Sequence, residues 1–364
     1  MRRGRLLAIL SALVVTGGLL GGPAAADERS AQAFARQAAG QRIIYSYPGL
    51  TPPESLLARI RAGEAAGVIF FGENVSGTSQ IRGVVQRLRA AAAQSPVAAP
   101  LLLMTDQEGG QIRRLPGEPA LSHKDVGQAG AAAATSAGRG AGQNLAGVGM
   151  NVNLAPVLDV FHAPGDLMDQ YERSFSSTAS VAGDLGARYV TAQQAAGVAA
   201  TVKHFPGLGK ANAGENTDSR PVTLSVPLAT LRGVDEVPYR NAISAGAKLV
   251  MLSWATYPAL DASRPAGLSP TVIGQELRAR NGFTGVTITD ALEAGALANY
   301  GGTADRAVLA AAAGNDLILA SARDVEQGDD AAAALAGALT DGTLDSGAFG
   351  EALARVSALR NSLS

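Results

Sequence analysis

The chain contains no cysteine. Disulfides, zinc–thiolate sites and thiol nucleophiles are therefore excluded, as is a lipid-acylated cysteine. Aromatic residues make up only 4% of the sequence, with Trp254 the single tryptophan, so a long row of stacking rings for a polymeric ligand is missing. Neither sign of charge dominates: 30 Lys and Arg stand against 31 Asp and Glu, a formal net charge of −1. That balance lacks the basic footprint of a nucleic-acid binder. Histidine is scarce too, with His123, His162 and His204 its only occurrences. No cluster has metal-ligand spacing, so no metal is expected. There is no phosphate loop, and Gly138, Gly140 and Gly142 do not form a clean G-x-G-x-x-G after a strand.

Apolar residues are plentiful, at 47% of 364 positions, enough to bury a substantial core. The first 26 residues read as an export signal. Arg2, Arg3 and Arg5 give a positive start, residues 6–20 are almost wholly apolar, and Pro23-Ala24-Ala25-Ala26 ends in small residues suited to cleavage before Asp27. An uncleaved anchor is the competing reading. The expectation is a secreted protein, residues 27–364, that forms one domain, acts as a monomer and has no membrane contact after cleavage.

Along the mature chain, short apolar runs alternate with longer amphipathic ones. Strands are expected at 42–46, 68–71, 101–105, 151–158, 201–205, 248–253, 285–289 and 316–320. Most are apolar on both faces, as parallel strands covered by helices require. Helices are expected at 54–65, 80–93, 181–196, 228–245, 270–280 and 304–313, with Gly67, Gly197, Gly246 and Gly314 as stops. Eight strands, each followed by a helix or loop, is the rhythm of a single-domain (β/α)₈ TIM barrel; an open doubly wound sheet is the alternative.

Polar residues gather where such a barrel carries its active site, just after the strands. Strand three runs into Asp106-Gln107-Glu108-Gly109-Gly110, with Arg113 and Arg114 close behind. Asp159 ends strand four, and its loop holds Asp169, Glu172, Arg173 and Ser174. Strand five contains Lys203-His204, strand six ends at Ser253-Trp254, and strand seven ends at Asp290, with Glu293 following. A lone Asp after a strand is readily explained as a helix N-cap. Carboxylates and cations converging on one rim are not. They suit sugar chemistry, in which one carboxylate attacks an oxocarbenium-like centre while charged groups hold ring hydroxyls. The ligand expected is a carbohydrate in a small pocket. Trp254 either covers one sugar ring or is buried at the barrel mouth. His123 and His162 are weaker candidates, better explained by loop contacts.

Asp106-Gln107-Glu108-Gly109-Gly110 with Arg114, Arg173-Ser174-Phe175, Lys203-His204-Phe205-Pro206-Gly207 and the Asp290 strand end together resemble glycoside hydrolase family 3. They are most similar to its single-barrel β-N-acetylhexosaminidase branch. The resemblance spans essentially the whole mature chain. It implies that Asp290 is the nucleophile of a retaining mechanism. It also implies that Asp106, Arg114, Arg173, Lys203 and His204 hold the hydroxyls of a terminal β-linked N-acetylglucosamine, often from peptidoglycan fragments, without metal or cofactor.

One loop departs from the family pattern. Where K-H-F-P-G-H-G and a later D-S-H are usual, this chain has Leu208 for the first histidine and Asp218-Ser219-Arg220. Arg220 thus stands where the acid/base histidine is expected, and a guanidinium does not give up its proton near neutral pH. Asp218 or Glu215 in the loop 206–221 is the expected substitute acid, given a raised pKa. Activity restricted to good leaving groups is a second outcome. A sugar-binding relative without catalysis is a third, and β-glucosidase specificity within the same family also stays open.

Overall fold

The first barrel strand, β1, is Ile43–Tyr45, and the next three are β2 (Gly67–Phe70), β3 (Leu102–Thr105) and β4 (Val152–Asn153). The remaining four are β5 (Ala199–Phe205), β6 (Leu249–Leu252), β7 (Val286–Ile288) and β8 (Ile318–Leu319). All eight expected strands are present in this computed structural model, which describes residues 23–363 and the side chains of residues 31–363. The expected export signal lies outside the described residues apart from 23–26, which open the first helix, Pro23–Gly40.

Neighbouring strands pair in parallel from β1 through to β7. β1 also pairs with β8, and a parallel bridge from Ile288 to Leu317 joins β7 to β8, so the eight strands close into one barrel. The burial pattern explains the closure. Ile44, Ile69, Leu102, Met104, Leu249, Met251, Val286, Ile288, Leu317 and Leu319 form one buried cluster that fills the barrel. Their alternate neighbours, among them Ile43, Val68, Phe70, Leu103, Val250 and Leu252, are buried instead among residues of the surrounding helices. A strand with period-two side chains and apolar residues at every position has two faces to cover. Each such Ile, Leu or Val contributes about 1.5–3 kcal/mol by burial.

The helical layer differs from expectation where a backbone donor is missing. The helix expected at 228–245 is divided into Leu228–Thr230, a wide π turn at Leu231–Asp235, and Val237–Ser244. Pro238 has no N–H to bond the preceding turn, so the ladder changes register just before it. Thr271–Arg280 is also wound as a π-helix. Gly67 does not stop a helix: it is the first residue of β2, where a Cβ would lie 2.1 Å from the Leu102 carbonyl oxygen. The glycine cluster lies in a helix absent from the sequence reading, Ala131–Val148. There a Cβ on Gly138 would come within 2.3 Å of the Tyr189 carbonyl oxygen, so the glycine permits close packing on helix Ala179–Gln194. No helix of the described residues is long and apolar enough to cross a membrane.

Candidate active site

Beyond the carboxyl ends of the strands, a cavity of about 500 Å³ opens at the barrel mouth. Its floor is the upper barrel filling, including Ile69, Leu154, Met251 and Leu319, and its walls come from the loops after the strands. Asp106, Arg114, Arg173, Lys203 and His204 all line it, together with Asp290 and Asp218. The fold therefore brings together all five expected sugar-holding residues, the expected nucleophile and one of the two expected acids.

The D-Q-E-G-G segment owes each residue to a separate contact. Asp106 ends β3 and faces the cavity. Gln107 holds the hairpin that follows: its amide donates to the carbonyls of Leu115 and Glu118, and its oxygen accepts from the N–H groups of Arg114 and Leu115. Gly109 has φ +112°, and a Cβ there would lie 2.1 Å from the Leu121 carbonyl oxygen. Glu108 is buried at the centre of an ionic array. Arg173 donates to both of its oxygens at 2.9 Å, while Lys203 Nζ lies 2.8 Å from Glu108 Oε1 and 2.6 Å from Asp106 Oδ1. Burial pushes the Glu108 carboxyl up, but the charges of Arg173 and Lys203 outweigh it and hold it well below the usual range. Burial likewise opposes the Lys203 charge, and Asp106 and Glu108 more than restore it. Glu108, Arg173 and Lys203 stay ionised, so the wall presents fixed charges to sugar hydroxyls. Arg114 Nε is a buried donor with no hydrogen-bond partner among the described residues.

Opposite this wall, Asp290 follows β7, with its Oδ1 accepting from the Ala291 N–H at 2.7 Å. Burial pushes its pKa up; His204 draws it down, Asp218 pushes it up again, and the net shift is upward. Asp218 and Asp290 both line this cavity. The loop that carries Asp218 is pinned beside β7, because Gly295 and Ala296 donate to the carbonyls of Asp218 and Thr217 at 2.8 and 2.9 Å.

Two residues of this loop lie away from the cavity. Glu215 does not line it: its carboxylate accepts from the backbone and side chain of Asn212 at 2.8 and 2.9 Å, closing the outer half of the loop. Arg220 does not line it either. Asn216 accepts from the N–H of Asp218 through its side chain and from those of Ser219 and Arg220 through its carbonyl, a tight turn that throws residue 220 outward. The exposed Arg220 guanidinium then donates twice to the Gly214 carbonyl. Trp254 is buried, not a platform on the rim, and its Nε1 donates to the Ala291 carbonyl at 2.8 Å. His123 is buried against Phe175 and Tyr189, and His162 pairs with Asp235. Neither lines the cavity.

The sequence reading left some site residues without a role. Glu108 lay inside a quoted motif, yet its place at the centre of the ion pairs needs the approach of Arg173 from the loop after β4 and of Lys203 from β5. Tyr171, Leu167 and Met168, which line the cavity from the loop after β4, carried no signal of their own.

The profile of the glycosyl hydrolase family 3 N terminal domain matches residues 46–359. The chain belongs to glycosyl hydrolase family 3. As a family 3 protein it is a glycosidase acting on O-glycosyl bonds. It is 45% identical over 330 residues to an uncharacterized secreted glycosyl hydrolase of Arthroderma benhamiae, an alignment spanning 90% of this chain and 93% of that protein. Its fold matches a family 3 β-N-acetylglucosaminidase from Paenibacillus sp. with a TM-score of 0.85 and 34% identity, covering 90% of this chain and 62% of that one. A β-N-acetylhexosaminidase from Beutenbergia cavernae matches with a TM-score of 0.82 and 31% identity, covering 90% of this chain and 98% of the other.

Proposed function

We propose that the chain is an exported retaining β-N-acetylhexosaminidase that removes terminal β-linked N-acetylglucosamine, with cell-wall fragments as its natural source. One observation carries this reading: Asp290 and Asp218 share a cavity whose wall holds the ion-paired array of Asp106, Lys203, Glu108 and Arg173. The two solved relatives that act on β-linked amino sugars support the substrate class, and the secreted relative supports export.

In this reading the sugar lies on Asp106, Arg114, Arg173, Lys203 and His204. Asp290 attacks the anomeric carbon as the bond to the aglycone oxygen breaks, and Asp218 gives that oxygen its proton. Water then attacks the glycosyl ester, Asp218 takes the proton from water, and Asp290 leaves as carboxylate. Asp218 replaces the missing histidine. Glu215, committed to Asn212, has no part in proton transfer.

The test is hydrolysis of an aryl β-N-acetylglucosaminide by the wild type and by Asp290→Asn. Turnover is expected in the wild type and lost in the variant by about 10³-fold or more. Equal rates in the two, or a preference for the corresponding glucoside, contradict the proposal.

A further inference from the structure

Beneath the cavity, one buried carboxylate outside the sugar-holding set has an unusual number of donors. Asp159 Oδ2 lies 2.7 Å from His204 Nδ1, within hydrogen-bond distance. Asp159 Oδ1 accepts from the N–H groups of His204 and Leu208 at 3.1 and 2.8 Å, and from the Tyr239 hydroxyl at 3.2 Å. The group is wholly buried, so a carboxylate there is tolerated only with such compensation. His204 lines the cavity next to Asp290, and with Nδ1 taken its remaining ring nitrogen is Nε2.

We propose that Asp159 is a positioning residue for the reaction: its buried carboxylate fixes the His204 ring with a proton on Nδ1, leaving Nε2 as the free ring nitrogen beside Asp290. The proposal rests on the reading of Asp290 as nucleophile. A carboxylate behind a histidine acts in this way by selecting the tautomer and stabilising the imidazolium.

The charges around the pair agree in sign. Burial pushes Asp159 up, yet attraction to His204 and the hydrogen bonds from the ring and the two backbone donors bring it below the usual carboxylate range. Arg173, from the loop after β4, also feels the Asp159 charge. From the helical side the neighbours are the Tyr239 hydroxyl and Asp235, the latter paired with His162, and from the loop after β6 the Tyr257 hydroxyl. On the cavity side, His204 and Lys203 draw the Asp290 pKa down, against burial and Asp218. An uncharged residue at position 159 therefore weakens a force that keeps the attacking carboxylate ionised.

The experiment compares the pH profile of kcat/KM for Asp159→Asn with that of the wild type, on an activated aryl β-N-acetylglucosaminide. The acid limb is expected to move up by about one pH unit, the size of effect an adjacent opposite charge exerts. A profile that falls equally at every pH, with its acid limb in place, contradicts the proposal, because that is what a purely structural role gives. Ring ¹⁵N NMR of the wild type, with the His204 signal identified by His204→Gln, supplies a readout independent of turnover and of the folding of Asp159→Asn. A proton on Nδ1 supports the proposal; a neutral ring protonated on Nε2 overturns it. If the wild type hydrolyses nothing, the nucleophile reading fails, and the NMR result still decides what Asp159 does to His204.

Discussion

The Gly295 N–H donates to the Asp218 carbonyl at 2.8 Å, tying the loop after β5 to the segment after β7. A Cβ on Gly295 would lie 2.3 Å from the Ser219 carbonyl oxygen, so no side chain fits without moving the loop. Gly295→Ala is therefore expected to displace Asp218 and lower kcat about 10- to 100-fold while the barrel stays folded. Steady-state kinetics beside circular dichroism checks this. An unchanged kcat means that the tie does not position the acid.

The division of labour in the loop gives a second prediction. Asp218→Asn is expected to slow hydrolysis of an alkyl glycoside about 10²- to 10⁴-fold, and that of a dinitrophenyl glycoside far less. Glu215→Gln is expected to shift both substrates equally and by less than about tenfold, since it alters a loop contact only. Arg220→His is expected to add no activity, because residue 220 points away from the cavity. Comparing rates across leaving groups separates the three variants.

Glu108 links cations from the loop after β4 and from β5, and its removal leaves the half-buried Arg173 and the buried Lys203 with an unbalanced charge. Glu108→Gln is expected to cost about 3–5 kcal/mol of stability. Denaturant unfolding measures the loss, and a change below about 1 kcal/mol would show that the array is not integral to the fold.

A fourth prediction lies far from the cavity. Glu236 is fully buried between the divided helix and the π-helix, with Asn281 as donor to Oε2 and no partner for Oε1 among the described residues. Burial pushes its pKa from 4.5 to about 7, with Glu276 adding to the rise. The folded state thus holds a proton that the unfolded state has already lost between those values. This contribution to stability is fully present below about pH 4.5 and fades as the pH rises through about 7. Glu236→Gln keeps the acceptor without the charge. It is expected to raise Tm at pH 8 by several degrees relative to the wild type and to change it little at pH 4.5. Thermal melts at the two pH values decide the matter.

Much of the fold was legible because a parallel barrel strand leaves a local trace, an apolar run such as 248–253 bounded by polar residues. Several cavity-lining residues were legible for the same reason, since Asp106 and Asp290 directly follow such a run and Lys203 lies within one. What escaped depends on contacts between distant segments. Nothing local distinguishes Glu215 from Asp218 in a polar loop; the Asn216 turn and the tie to Gly295 do. Trp254 reads equally well as platform or core until the Ala291 carbonyl is seen to take its N–H. The glycines at 138 and 142 resembled a broken motif because their partners, Tyr189 and Gln193, lie about fifty residues on.

The central claim is that Asp290 carries the sugar while Asp218 moves the proton. A slowly hydrolysed fluorinated N-acetylglucosaminide, incubated with the wild-type protein and followed by peptide mass spectrometry, tests it most directly. One sugar bound as an ester to the peptide containing Asp290, and turnover that stops as it forms, is the expected result. A label on any other carboxylate, or steady turnover with inversion at the anomeric carbon and no labelled peptide, would contradict it.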